Sequence, residues 1–350
     1  MTFPFQHKIQ IHTNMLYVVM GYLWAAILLY LLLGGADFGA GILELFTSRK
    51  NRSKTRRTMY QAIGPIWEAN HMWLIIVIVI LFVGFPVIYT TMSIHLHIPL
   101  AIMLLGIIAR GTAFAFRNYD AVIDDMQKWY TRIFVLSSFV TPLFLGIIAG
   151  SAVSGRIDTN ANTFMDAYIF SWLNLFSISI GLFTTSICGY LAAIFIIGET
   201  SGKEDQARFM RKAMHFNLAA AISGFLVFVA AYFEQIPLFD WVFGNTPGLM
   251  AIFSALVSLL VMWWLLLRRK KRRVIRIFAG FQVTMILLTT TIRHYPNIVI
   301  LKGGSYLSLL EHAGEEQAIY YLAIALLSGS VFILPALFYL LYSFHRQPVH

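Results

Sequence analysis

Residues Gly64–Tyr89 read GPIWEANHMWLIIVIVILFVGFPVIY, and this stretch decides the fold. Pro65 is expected in the first turn of a helix, where its missing N–H leaves no hydrogen bond unmade. A polar group of residues follows, and then an apolar run that ends at Gly84 and Pro86. This is long enough for a helix to cross a bilayer, which takes about 20 residues. Its first turns hold a carboxylate, a carboxamide and an imidazole, which are costly in a membrane and therefore indicate a functional site.

The composition is that of an integral membrane protein. Of 350 residues, 59% are hydrophobic and 12% are charged, with a mean hydropathy of +0.72; a soluble domain has about 25% charged residues. We predict a single, all-α membrane domain over residues 1–350. Nine spans are expected, at residues 15–46, 66–92, 98–116, 131–152, 166–198, 214–233, 247–267, 274–295 and 319–343. The first and fifth exceed the bilayer requirement and are expected to tilt or protrude. No strands are expected, and the connection 293–318 is predicted to be a surface loop.

The distribution of basic residues predicts the orientation. Twenty-one of the 26 lysines and arginines fall in alternate connections and in the C-terminal tail, and four fall on the opposite side. By the positive-inside rule, the N-terminus is expected outside and the C-terminus inside. The net charge of +10 is then a topology signal, and no nucleic-acid partner is predicted. Only Lys8 precedes the first apolar run, which is too long for the core of a cleavable signal peptide.

Five charged side chains are expected within the membrane, all in its cytoplasmic half. They come from the ends of the first three spans: Asp37, Glu44, Glu68, Arg110 and Arg117. Asp37 and Glu44 are seven residues apart and share a helix face, and so do Glu68 and His71. The glycines at 35, 39 and 41 allow a neighbouring helix to approach Asp37 closely.

Two interpretations of these charges remain open, and they are compatible. In the first, Asp37 or Glu68 forms a structural ion pair with Arg110. In the second, the carboxylates and His71 form a proton path from the cytoplasm. An alternative of another class is a proton-coupled secondary transporter that uses Asp37, Glu68 and Arg110. The glycine cluster has no matching segment in the second half of the chain, which argues against a transporter.

The sequence predicts no metal or heme site in this chain. The single cysteine, Cys188, excludes an internal disulfide framework and a cysteine-based metal site. All histidines except His71 fall at expected helix ends, loops or tails. His95 and His97 are two residues apart and do not share a helix face.

At this point the motifs resemble subunit II of the cytochrome bd-type quinol oxidases. Residues 67–74 (WEANHMWL) match the family signature Trp-(Asp/Glu)-x-Asn-x-x-Trp-Leu. Residues 35–41 (GADFGAG) are similar to its Gly-Phe-Asp-x-Gly-x-Gly, and residues 110–117 (RGTAFAFR) resemble its arginine-bounded segment. Beyond Thr200 the likeness is mainly one of hydropathy. Many members have acidic residues where this chain has Gly34 and Ala115.

The resemblance implies two four-helix bundles plus one peripheral helix, in a bacterial inner membrane. It implies a heme-bearing subunit I as partner, carrying hemes b and d and oxidising ubiquinol or menaquinol, and a small accessory subunit as a further candidate. This chain would itself bind no heme, support assembly and supply protons to the oxygen-reducing heme. The implied path residues are Glu68, Asp37, Glu44 and His71. The expected charge partners or structural residues are Arg110, Arg117, Trp67, Asn70 and Trp73.

Overall fold

A computed structural model of the chain describes residues 3–64, 67–119, 126–200, 202–267 and 272–346. Pro65, expected at a helix entry, lies outside them. Within them the chain forms fourteen α-helices, one π-helical segment and two short strands. The first half holds α1 Phe3–Leu29, the π segment Tyr30–Gly34, α2 Gly35–Leu45, α3 Arg49–Ile63, α4 Trp67–Gly84, α5 Pro86–His95, α6 His97–Tyr119, α7 Met126–Val153 and α8 Phe164–Tyr168. The second half holds α9 Leu175–Glu199, α10 Lys203–Phe233, α11 Leu238–Phe243, α12 Thr246–Leu267, α13 Arg272–His294, β1 Asn297–Ile300, β2 Tyr306–Ser308 and α14 Glu316–Arg346.

The described residues contain nine helices long and apolar enough to cross a membrane. The predicted number of spans and the all-α membrane fold are confirmed. The spans are Thr13–Leu45, Trp67–Gly84, His97–Arg117, Met126–Val153, Leu175–Gly198, Glu204–Phe233, Thr246–Leu265, Val274–His294 and Glu316–Tyr339. The first is a continuous 33-residue helical stretch that passes through the π segment. Its predicted excess length is confirmed, and its tilt or protrusion stays a prediction. The orientation of the termini stays a prediction.

The spans form two groups and a peripheral helix. In the first half α1 packs on α4, and α7 packs on both α2 and α6; in the second, α9 packs on α10 and α13, and α12 on α13. Helices α2 and α7 also pack on α9 and join the two groups, while α14 lies at the periphery against α1 and α4. Lipid is as apolar as these helices, so close packing holds them together. Accordingly, a Cβ on Gly39 would overlap the carbonyl of Cys188 in α9, and one on Gly41 would overlap Ser138 in α7.

Two predicted spans are wrong in their extent. The span expected over 66–92 is broken at Phe85 (φ −139°, ψ 61°), between α4 and α5, because Pro86 disfavours helical geometry in the residue before it. The span expected over 166–198 begins only at Leu175. Asn174 caps α9 by accepting a hydrogen bond from the Ser177 N–H at 2.8 Å, so the excess length predicted for the fifth span is absent.

The prediction that the chain contains no strands is also wrong. In the connection 293–318, β1 and β2 form an antiparallel hairpin. Its turn contains Gly303 and Gly304 at φ +89° and +86°, a left-handed conformation that glycine adopts without steric cost. The hairpin is fastened to the connection between α7 and α8, where Lys302 N–H donates to the Ile157 carbonyl at 2.8 Å and Lys302 Nζ contacts Asp158 Oδ2 at 2.9 Å.

Candidate functional site

The site is built on α2, which presents two buried carboxylates to its neighbours. Asp37 and Glu44 are each 1% exposed. They lie two helical turns apart on one face, as their spacing predicts. The glycines between them bring α7 and α9 against the same helix, which keeps both carboxylates away from lipid.

Asp37 is bound by Arg110 of α6 and faces His71 of α4. Arg110 Nη2 donates to Asp37 Oδ1 at 2.7 Å and to the Asp37 carbonyl at 3.0 Å. His71 Nε2 lies 3.5 Å from the other carboxylate oxygen, Oδ2. Arg110 is 1% exposed, and its Nε donates to Ser138 Oγ at 3.1 Å. The predicted ion pair between Asp37 and Arg110 is therefore present, with an imidazole beside it.

Glu44 forms a second, separate cluster with two arginines. Arg56 of α3 donates to Glu44 Oε1 from Nε at 2.9 Å and from Nη2 at 2.8 Å. Arg117 of α6 donates to Glu44 Oε2 at 3.0 Å, and its guanidinium lies 4.0 Å from the centre of the Phe134 ring. Both oxygens of this carboxylate are thus occupied by fixed cations.

Three other residues of the signature lie in α4 with His71. The Trp67 ring lies 6.3 Å from the His71 ring and 5.1 Å from the Phe114 ring, centre to centre. Asn70 and Trp73 are buried in the same helix, and Trp73 packs in one apolar cluster with Phe38. The imidazole thus has the Trp67 ring as an aromatic neighbour.

Glu68 lies apart from these clusters. Its side chain is exposed in the first turn of α4, and among the described residues it forms no ion pair with Arg110, whose carboxylate partner is Asp37. Of the two pairs considered for Arg110, only that with Asp37 forms.

Comparison with known proteins identifies the family. The profile described as cytochrome bd terminal oxidase subunit II matches residues 15–344. The chain belongs to this family. Cytochrome bd ubiquinol oxidase subunit 2 of Bacillus subtilis (strain 168) is 30% identical over 198 residues, which are 56% of this chain and 57% of that protein.

A second curated relative agrees with this assignment, and a solved structure shares the fold. Cytochrome bd-I ubiquinol oxidase subunit 2 of Escherichia coli (strain K12) is 28% identical over 188 residues, 50% of this chain and 49% of that protein. The matched part of this chain therefore spans about half the length of these curated relatives. A chain in the structure of bd oxidase from Geobacillus thermodenitrificans has the same fold, with a TM-score of 0.71, 22% identity and coverage of 95% of this chain and 98% of that one.

Three residues of the site escaped prediction from the sequence. Arg56 is hidden in a basic run that reads as a topology signal, and only the folding of that run into α3 brings it to Glu44. Lys212 of α10 donates to the carbonyls of Leu43 and Phe46 at 3.2 and 3.1 Å, at the C-terminal end of α2, where a cation is favoured. Tyr30 is an ordinary tyrosine in an apolar run, yet its ring lies 6.2 Å from that of His71.

In the parts of the chain that the structure describes, no three His, Cys, Asp or Glu side chains converge as a metal site would require. His95 and His97, whose spacing argues against a shared metal or heme site, each contact a backbone carbonyl. His95 Nδ1 lies 3.2 Å from the Ala167 carbonyl, and His97 Nδ1 lies 2.7 Å from the Ile94 carbonyl. That the chain binds no heme stays a prediction.

Proposed function

We propose that this chain is the heme-free second subunit of a bacterial bd-type quinol oxidase. In the complex it docks on a heme-bearing subunit I, which holds hemes b and d and oxidises ubiquinol or menaquinol. It supports the assembly of that subunit and conducts protons from the cytoplasm towards the oxygen-reducing heme. The observation that carries the proposal is the buried cluster of Asp37, His71 and Arg110, in a chain of this family.

The chemistry of the cluster supports proton transfer. Reduction of oxygen at a buried heme consumes protons, and moving a charge through hydrocarbon without polar groups costs several kcal/mol. Arg110 offsets the burial of the Asp37 carboxylate. His71, 3.5 Å from Oδ2, is the side chain type that takes up and releases protons near neutral pH. A carboxylate and an imidazole at this separation can pass a proton after a small movement of either group.

The two other carboxylates receive different roles in this proposal. Glu44, with both oxygens bound by arginines, fixes α3 and α6 to the cytoplasmic end of α2. Glu68 is exposed in the first turn of α4, where the helix N-terminus favours a carboxylate. We assign Glu68 to a face that subunit I covers, where it collects protons for His71 one turn away.

The test compares the oxygen consumption of variants in the proposed proton path with that of a variant at a matched carboxylate outside it. Glu68→Gln and Asp37→Asn are expected to lower quinol-driven oxygen consumption of the purified complex by about a hundredfold, within the range for loss of a proton-transfer group. Heme content per complex is expected to change much less. Glu204→Gln is the control, because Glu204 is also exposed in the first turn of a membrane helix, α10.

The outcomes separate a proton path from a structural ion pair. If Asp37→Asn loses heme in proportion to activity, the Asp37–Arg110 pair is structural only. Normal oxygen consumption in both Glu68→Gln and Asp37→Asn would refute the proton path altogether. A subunit II that is dispensable for an assembled, active oxidase in membranes would refute the proposed function itself.

A further inference from the structure

Tyr30 places a hydroxyl group near the middle of the first membrane span, deeper than Asp37. The span covers Thr13–Leu45, and Tyr30 is 4% exposed. Its hydroxyl is buried and has no hydrogen-bond partner among the described residues. A phenylalanine would fill the same space without burying a polar atom, so the hydroxyl calls for a physical reason.

The hydroxyl is one of several buried polar atoms that have no hydrogen-bond partner in the described structure. The others near the Asp37 cluster are His71 Nδ1, Trp73 Nε1, Arg110 Nη1 and Asp37 Oδ2, which faces His71 Nε2 at 3.5 Å. The rings of Tyr30 and His71 are 6.2 Å apart, centre to centre. The ring of Phe38 in α2 lies 6.2 Å from that of Tyr30 and 5.5 Å from that of His71. Buried polar atoms in native proteins are hydrogen-bonded, by ordered water where no protein group is in reach. This concentration of donors and acceptors is typical of a hydrated site.

The backbone around Tyr30 is shaped to hold its ring in this position. Tyr30–Gly34 is a π-helical turn, and the Gly35 N–H bonds to the Tyr30 carbonyl. Such turns are rare and occur mostly at functional sites. The Tyr30 ring lies across Gly34, where an added Cβ would come within 2.8 Å of ring atoms Cδ2 and Cε2. Any side chain at position 34 would therefore displace the ring.

We propose that the Tyr30 hydroxyl is a proton relay that, with bound water, carries protons from Asp37 and His71 towards the middle of the membrane. The inference rests on the proposed proton path and adds a residue to it. A hydroxyl donates one hydrogen bond and accepts others. As a proton arrives on the Tyr30 oxygen from a water on the His71 side, the original O–H bond breaks towards a water on the far side. The tyrosine ends neutral, and the transfer needs no other reactant.

The first experiment removes the hydroxyl and keeps the ring. Tyr30→Phe is expected to slow quinol-driven oxygen consumption of the whole complex roughly tenfold, less than loss of a catalytic acid or base, because water takes over part of the relay. The solvent deuterium isotope effect on turnover is expected to rise, with heme content unchanged. Tyr22→Phe is the control on the same helix, since its hydroxyl contacts Ser330 Oγ at 2.8 Å.

The second experiment moves the hydroxyl and keeps it chemically intact. Gly34→Ala is expected to displace the Tyr30 ring, slow turnover and raise the isotope effect. Gly21→Ala is the matched control in α1, because a Cβ there meets nothing within 4 Å. Should Tyr30→Phe fail to assemble, the comparison of these two glycine variants decides.

Each outcome bears on either the relay or the path. Wild-type turnover and isotope effect in Tyr30→Phe, with Asp37→Asn slow, would refute the relay and leave the path standing. Loss of heme that matches the loss of activity in Tyr30→Phe and Gly34→Ala would make Tyr30 a packing residue and also refute the relay. Unchanged turnover in Asp37→Asn would refute the path, and the relay with it.

Discussion

Asp37 and Glu44 lie on one helix face, yet their surroundings fit them for different tasks. Both oxygens of Glu44 are fixed by guanidinium groups. Asp37 has one oxygen bound by Arg110 and a second oxygen, 3.5 Å from an imidazole. A carboxylate with both oxygens bound by permanent cations holds structure, whereas one beside a titratable ring can exchange protons.

The arrangement at Glu44 predicts a large loss of stability when its charge is removed. Glu44→Gln would leave Arg117, whose side chain is 4% exposed, buried without its counter-charge. Breaking such a buried pair costs about 3–5 kcal/mol, so the melting temperature of the complex is expected to fall clearly.

The control for this prediction is Asp205→Asn. Asp205 contacts Lys54 Nζ at 2.6 Å, with the Lys54 side chain 61% exposed, and Arg208 Nη2 of its own helix at 3.2 Å. Exposed pairs and pairs three residues apart on one helix each contribute about 1 kcal/mol or less. An equal fall in melting temperature for both variants would contradict the assignment of Glu44 as the buried anchor.

At the scale of elements, the spans could be predicted wherever hydropathy alone decides. The predicted span boundaries were wrong where a single residue overrides hydropathy. Phe85 leaves the helix because Pro86 follows it. The segment after Tyr168 is apolar but leaves the helix, and only the capping side chain of Asn174 starts α9. The turn of the β1–β2 hairpin contains two adjacent glycines, a local turn signal that the prediction of a loop overlooked. Its contacts with a distant connection are revealed by no local pattern.

That hairpin provides a pH-dependent element outside the membrane. The hydrogen bond from Lys302 Nζ lowers the pKa of Asp158 below its usual value, and the same bond raises the pKa of Lys302. A lowered acid pKa contributes stability that is lost as the pH falls through it, and a raised lysine pKa contributes stability that is lost as the pH rises through it. The contact is therefore at full strength between about pH 4 and pH 10, the ordinary pKa values of the two groups.

Hydrogen exchange of the hairpin amides checks this expectation. Protection of β1 and β2, relative to intrinsic exchange at each pH, is expected to be constant near neutral pH and to fall in acid, as Asp158 is protonated. Lys302→Met is expected to give lower protection at neutral pH and to remove the acid-dependent fall. The same acid-dependent fall in that variant would show that another group controls the hairpin.

For the whole molecule, the sequence could predict that the charges of the first three spans lie at a similar depth, but not which of them form pairs. Opposite directions of successive spans brought Asp37 near Arg110 and Glu44 near Arg117. The sequence could not show that Glu68 faces away, because the rotation of α4 is set by packing against α1 and α14. Nor could it show that Arg56 leaves the basic run to bind Glu44, because this requires the chain to fold back as α3.

The outward position of Glu68 leads to a prediction about the assembled complex. If subunit I covers this face, a short thiol-directed photo-crosslinker on the Glu68→Cys variant is expected to capture subunit I. Leu218→Cys is the control, because Leu218 is 51% exposed on α10 of the other helix group and is expected to meet lipid. The native Cys188 is buried and does not compete for the reagent. Capture of subunit I from Leu218→Cys alone would place the interface on the second helix group. It would contradict the assignment of Glu68 to a face that subunit I covers.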